Sequence, residues 1–122
     1  MESFNLPKGT DEEKVIRTQA IQDATKYAIE IPFKVMQAAY GSLTVIKAMA
    51  ETGNPNSVTD AGVAALCARS AVIGAFMNVK INASGYTDKV FTDAIIADGN
   101  ELEKKTVALE AEIIELVNGK II

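Results

Sequence analysis

The chain has 122 residues, a formal net charge of −4 and an isoelectric point of about 4.8. That length supports one core and one domain, residues 1–122, and an acidic chain whose basic residues are scattered among acids argues against nucleic-acid and anionic-membrane partners. Histidine is absent and Cys67 is the single cysteine, which excludes a Ser-His-Asp triad, a Cys-His pair, a His-ligated zinc and an internal disulfide.

The N-terminal stretch "MESFNLPKGTDEEK" has neither the basic start nor the apolar core of a signal peptide. Cytoplasmic location is the expectation. The first helix starts at "GTDEEK": Thr10 and Glu13 have capping-box spacing, and Asp11, Glu12 and Glu13 suit the positive end of a helix dipole. Ile16, Ala20, Ala24, Tyr27 and Ile31 draw one apolar stripe at helical spacing. Pro32 interrupts it, and the pattern predicts two segments joined at a bend near Ile31-Pro32. Met36, Tyr40, Leu43, Lys47 and Ala50 carry the pattern on to Gly53.

"GNPNS" is a turn, and Ser57 or Thr59 is placed to cap the next helix, which runs to about Asn82. This helix is apolar nearly all round and reads as the central one. Val63, Leu66, Ile73, Met77 and Ile81 form one stripe; Asp60, Ala64, Cys67, Ala71, Ala75, Asn78 and Asn82 form a second, mostly small one. Arg69 and Ser70 interrupt the apolar run, so no membrane span is predicted. After the turn "ASGY", Thr87 is placed to cap a third helix. Its seam is Leu102, Thr106, Leu109, Ile113 and Leu116, at coiled-coil spacing. Gly99 is a candidate bend and Gly119 a stop, while Glu103, Glu110, Glu112 and Glu115 read as a water face. No strand-like alternation occurs. The fold class is all-α, an antiparallel multi-helix bundle.

The polar residues of the central helix are the candidate site. Asn78 and Asn82 lie one turn apart, either bonded to a neighbouring helix end or holding a polar ligand. Asp60 lies in the first turn, either as part of the N-terminal cap or as a ligand contact. Asp60 and Asn78 are five turns apart, about 27 Å, so one ligand serves both only if they come from different subunits or if the ligand is long. Cys67 reads as a packing residue, and Arg69 and Lys80 as snorkelling or acid-paired cations.

The motifs "NPNSVTDAGVAAL" and "GAFMNVKIN" carry a resemblance to the cyclodeaminase/cyclohydrolase family, through Asn56, Ser57, Asp60, Ala64, Ala65, Gly74, Ala75, Phe76, Asn78, Val79, Ile81 and Asn82. The segments "LPKGTDEEKVIRTQAIQDA", "IPFKVM" and "YTDKVF" extend it over nearly the whole chain. The resemblance implies an all-helical domain and a homodimer or higher homo-oligomer. It implies a tetrahydrofolate substrate, with no metal or other cofactor. Two reactions occur in the family: closure of 5-formimino-tetrahydrofolate to 5,10-methenyl-tetrahydrofolate with release of ammonia, linked to histidine degradation, and hydrolysis of methenyl- to 10-formyl-tetrahydrofolate. Asp60, Asn78 and Asn82 match family positions as candidate substrate-binding residues. The family's glycine-rich segment, N-terminal helices and general base lie upstream of the "LPK" segment, so the catalytic base is expected before Met1. A non-catalytic helical oligomerisation scaffold is the alternative.

Overall fold

The computed structural model describes residues 1–121. Three long helices account for most of them: α1, Asp11–Thr52; α2, Val58–Ala83; and α3, Lys89–Ile121. Short 3₁₀ turns at Glu2–Asn5 and Pro55–Ser57 precede α1 and α2. The helices run up, down and up. Asn82 near the end of α2 bonds Ala28 of α1, and Lys120 near the end of α3 reaches Ala50 and Glu51 at the end of α1.

The ends are fixed by local chemistry. Thr10 Oγ1 accepts from the Glu13 N–H, and Glu13 Oε2 accepts from the Thr10 and Gly9 N–H groups, closing the capping box. At the other end of α1 the Lys120 ammonium donates to two terminal carbonyls, each at 2.7 Å, and places a cation on the negative pole of the helix. Ser57 stands at the start of α2 but makes no side-chain cap; the Asn54 side chain instead accepts from the Asn56 N–H. Asp88, not Thr87, caps α3 through the Phe91 N–H, while Thr87 bonds Gln22 of α1. Gly119 does not stop α3, which continues through Ile121.

On α1 the buried residues Ile29, Met36, Leu43 and Ala50 recur every seven residues, and α3 answers with Ile95, Gly99, Thr106, Ile113 and Val117. Between them α2 inserts Ala65, Ala68, Val72, Phe76 and Val79. Gly99 does not bend α3. It lies under the fully buried Phe76 ring, which occupies the space where a Cβ would stand. Glu110 leaves the predicted water face: it is 4% exposed and accepts a 2.9 Å hydrogen bond from Arg69 of α2. The arginine itself is partly exposed, so water screens the pair and its worth is modest. Lys47 of α1 bonds Glu112 of α3, and that hydrogen bond and charge hold its pKa above the usual lysine range.

The apolar stripe of the first half of α1 faces outward: Ile16 is 63% and Tyr27 66% exposed. On α2 the stripe containing Val63, Leu66, Met77 and Ile81 also faces outward, and so does Cys67. Periodicity finds an apolar stripe without saying what covers it. α2 with its preceding turn has the length and apolarity of a membrane span, and 39% of that window is buried within the chain. The break at Arg69 and Ser70 does not remove that property. Packing on α1 and α3 accounts for part of the apolarity, and an open face accounts for the rest.

Two outcomes follow from these contacts. Gly99→Ala drives a methyl into the Phe76 ring and is expected to destabilise the fold by about 1–3 kcal/mol in urea unfolding. The Lys47 contribution, from a raised folded pKa, is present at neutral pH and is lost as pH rises through that pKa. The difference in Tm between the natural chain and Lys47→Met is therefore expected to close as the pH is raised past the ordinary lysine range.

Candidate functional site

Pro32 does not break α1, which is continuous from Asp11 to Thr52. A proline inside a helix has no N–H, so the carbonyl four residues earlier is left without its donor. In this chain that carbonyl belongs to Ala28. The Asn82 side-chain Nδ2 donates to the Ala28 oxygen at 3.1 Å, and to its own helix at the Asn78 oxygen at 2.9 Å. Asn82 replaces the missing donor and fastens the end of α2 to α1 at the proline. Both amide hydrogens are committed to the protein, which is the neighbouring-helix role open to it in the sequence.

A groove of about 550 Å³ opens beside this contact on the side away from α3. Ala28, Ile31, Pro32 and Val35 form one wall, and Ala71, Gly74 and Ala75 form the other. Asn78 and Asn82 stand at its end, and Ser70 lines it as well. The Asn78 amide makes no hydrogen bond to any described residue and is exposed. The groove is shallow and mostly apolar, with polar atoms concentrated in the two amides and one hydroxyl. Its shape accepts a flat ring lying on small side chains, with the amides at its edge.

Asp60 is elsewhere. It is exposed and lines a second cavity of about 330 Å³ with Val45, Met49, Asn54, Ser57 and Ala64. It does not complete the cap with Ser57. Within one chain the structure brings Asn78 and Asn82 together and leaves Asp60 five turns away, about 27 Å along α2. Among the described residues no group of three His, Cys, Asp or Glu side chains is placed to hold a metal ion. Sequence reasoning missed the coupling of Pro32 to Asn82 and the place of Ser70 and Gly74 on the groove. The first had a readable signal, because any mid-helix proline leaves the carbonyl four residues back in need of a donor.

The sequence model of the formiminotransferase-cyclodeaminase family matches residues 1–101, a span that contains both cavities and every candidate site residue. The chain belongs to that family. It is 36% identical to a methenyltetrahydrofolate cyclohydrolase of Methylorubrum extorquens over 121 residues, 99% of this chain and 58% of that protein. It is 34% identical to a formimidoyltransferase-cyclodeaminase of Rattus norvegicus over 91 residues, 75% of this chain and 17% of that protein. The corresponding protein of Gallus gallus is 36% identical over 91 residues. The chain therefore spans 58% of the cyclohydrolase's length and about a sixth of the larger proteins'. All-helical architecture agrees with the expectation from the motifs.

The role of Asn82 yields a double-mutant test. Asn82→Leu leaves the Ala28 carbonyl without a donor and is expected to cost about 1–3 kcal/mol in urea unfolding. Restoring the backbone N–H with Pro32→Ala in the same chain is expected to recover most of that loss. Additive effects of the two changes would show that the amide and the proline are not coupled.

Proposed function

We propose that this chain supplies the folate-binding helical core of a one-carbon enzyme. The reaction class is attack at the carbon carried between N5 and N10 of tetrahydrofolate. In the hydrolytic direction water adds to the methenyl carbon, the bond to N5 breaks, and the formyl group remains on N10. In the cyclising direction N10 attacks the carbon of the protonated, cationic formimino group on N5, the N10 proton passes to the departing nitrogen, and the C–N bond to it breaks so that ammonia leaves and the methenyl cation remains. The observation that carries the reading is 36% identity to a methenyltetrahydrofolate cyclohydrolase along 99% of the chain, the groove residues included.

The groove supports it on chemical grounds. A pterin is flat and edged with hydrogen-bonding groups. Ala71, Gly74 and Ala75 let a ring lie close to the α2 backbone, and Asn78 offers an uncommitted donor and acceptor at the ring's edge. Asn82 has its carbonyl oxygen left to accept. On this reading Asn78 and Asn82 are substrate contacts and the metal-free chemistry rests on the substrate's own nitrogen atoms.

A second reading has one observation in its favour. The groove of a single chain holds no titratable side chain: its lining is apolar apart from Ser70, Asn78 and Asn82. A scaffold that keeps the folate groove without a proton-transfer group fits that lining.

The test is the methenyl-tetrahydrofolate absorbance, followed once from methenyl-tetrahydrofolate and once from 5-formimino-tetrahydrofolate, with binding of 5-formyl-tetrahydrofolate measured beside it. Turnover above buffer is expected in one direction and names the branch. Binding without turnover establishes the scaffold reading. Neither binding nor turnover from a chain that is helical by circular dichroism overturns the folate proposal.

A further inference from the structure

The groove carries a regular row of residues on α2. Ser70, Gly74, Asn78 and Asn82 follow one another at steps of four, each about 6 Å further along the helix, and so form one ridge. The row is polar except at Gly74. Its Ser70 hydroxyl is unspent. Hydroxyls elsewhere in the helices turn back onto their own backbone, as Thr25 does on Ile21, Ser42 on Ala39 and Thr106 on Leu102. Ser70 makes no such bond to any described residue and is exposed on the groove. The Asn78 amide is likewise unspent. Gly74 sits between them in mid-helix, where alanine would make the stronger helix. Nothing in the chain lies within 4 Å of where its Cβ would stand, so packing within the chain does not require the glycine.

We infer that this row fixes the direction in which a folate lies, with the pterin edge at Asn78, the one-carbon centre over Gly74 and the carbonyl of the aminobenzoyl group at Ser70. The inference rests on the folate reading above and adds to it an orientation and two specificity-determining residues. The polar groups of the substrate are as unequal as those of the groove. A pterin edge presents an amino group, a ring N–H and a carbonyl side by side, and an amide, which both donates and accepts, answers that pattern. The benzoyl carbonyl only accepts, and a single hydroxyl donor satisfies it.

The spacing agrees with this direction. Ser70 and Asn78 are about 12 Å apart along α2. That is longer than a pterin and matches a pterin, its link and a benzoyl ring laid end to end. Ile31, Pro32 and Val35 supply the apolar wall against which the rings lie. N5 and N10 then fall midway between the polar ends, at Gly74. The carbon they carry stands out from the line of the rings, and the missing side chain gives it room against the α2 backbone. Gly74 is thus where the site distinguishes a folate that carries a one-carbon unit from a bare one. Ser70 is where it distinguishes a folate from a free pterin.

The test compares three probes, with binding followed by chemical-shift changes in the chain up to millimolar probe. They are 5-formyl-tetrahydrofolate; 5-formyl-6-methyl-tetrahydropterin, which lacks the aminobenzoyl group; and 6-methyl-tetrahydropterin, which also lacks the one-carbon unit. Ser70→Ala is expected to weaken 5-formyl-tetrahydrofolate about fivefold and to leave both pterins unchanged. Asn78→Leu is expected to weaken all three. Gly74→Ala has room within the chain and improves helix propensity, so its Tm is expected to rise. The same variant is expected to weaken both formylated probes about fivefold and 6-methyl-tetrahydropterin little. A glycine with only a structural role would not move stability and binding in opposite directions. Pterin binding that falls in Ser70→Ala and survives Asn78→Leu reverses the direction and overturns the inference. Unchanged 5-formyl-tetrahydrofolate binding in either Ser70→Ala or Gly74→Ala also overturns it, as does a natural chain that binds 5-formyl-tetrahydrofolate but neither pterin. In each of these cases the natural chain still binds a folate, and the functional proposal stands. A natural chain that binds none of the three probes removes the folate reading itself, and the orientation with it.

Discussion

The groove depends on one hydrogen bond. Pro32 leaves the Ala28 carbonyl without its helical donor, and Asn82 of α2 supplies one at 3.1 Å. A buried carbonyl without a partner costs about as much as a typical point mutation, so the amide and the proline stabilise each other's presence. The same bond sets the distance between α1 and α2 at the end of the groove. Asn82 therefore does two things with one side chain: its nitrogen holds the helices together, and the residue also lines the groove. Asn78, one turn away, makes no such bond and is free to meet a ligand.

From that contact outward, the packing is uneven by design of the side chains. The face of α2 toward α1 and α3 carries Ala65, Ala68, Val72, Phe76 and Val79, and it forms two core clusters with Met36, Leu43, Ile95 and Ile113. Small residues on α2 and glycine at position 99 of α3 let the helices approach until the Phe76 ring fills the remaining space. The Arg69–Glu110 pair lies between these clusters and ties the middle of α2 to α3. The opposite face of α1 and α2 has no cover within the chain. Apolar side chains there and charged side chains on α3 divide the molecule into a surface for contact and a surface for water.

Much of the local structure was legible in order along the chain. The Thr10–Glu13 capping box forms as its spacing requires, because both bonds close within one turn. The α3 seam from Leu102 to Leu116 is at least half-buried, because alternate steps of three and four keep it on one side of a helix. Residues whose role depends on a neighbour were not legible. Cys67 sits on a small-residue stripe and reads as core, yet it is exposed. Glu110 reads as a solvent residue, yet it is buried against Arg69, 41 positions earlier in the chain. Thr87 has a good capping residue's chemistry, but Gln22 of α1 takes its hydroxyl and Asp88 caps α3 instead.

The candidate site divides along the same line. Asn78, Asn82 and Asp60 were found from sequence as polar residues on an apolar helix, and their ordered motifs pointed to the family that the comparisons established. Composition, helix boundaries to within a few residues, apolar spacing and family membership were determined by the sequence alone, since each depends on residues close together or on motif order. Which apolar stripe is buried, which amide hydrogen is spent on Ala28, and that Asp60 and Asn78 occupy separate cavities were decided only by the tertiary structure. The physical reason is that burial and hydrogen-bond partnership are properties of pairs of elements. One helix specifies its own period, but the helix packed against it decides which face of that period is inside.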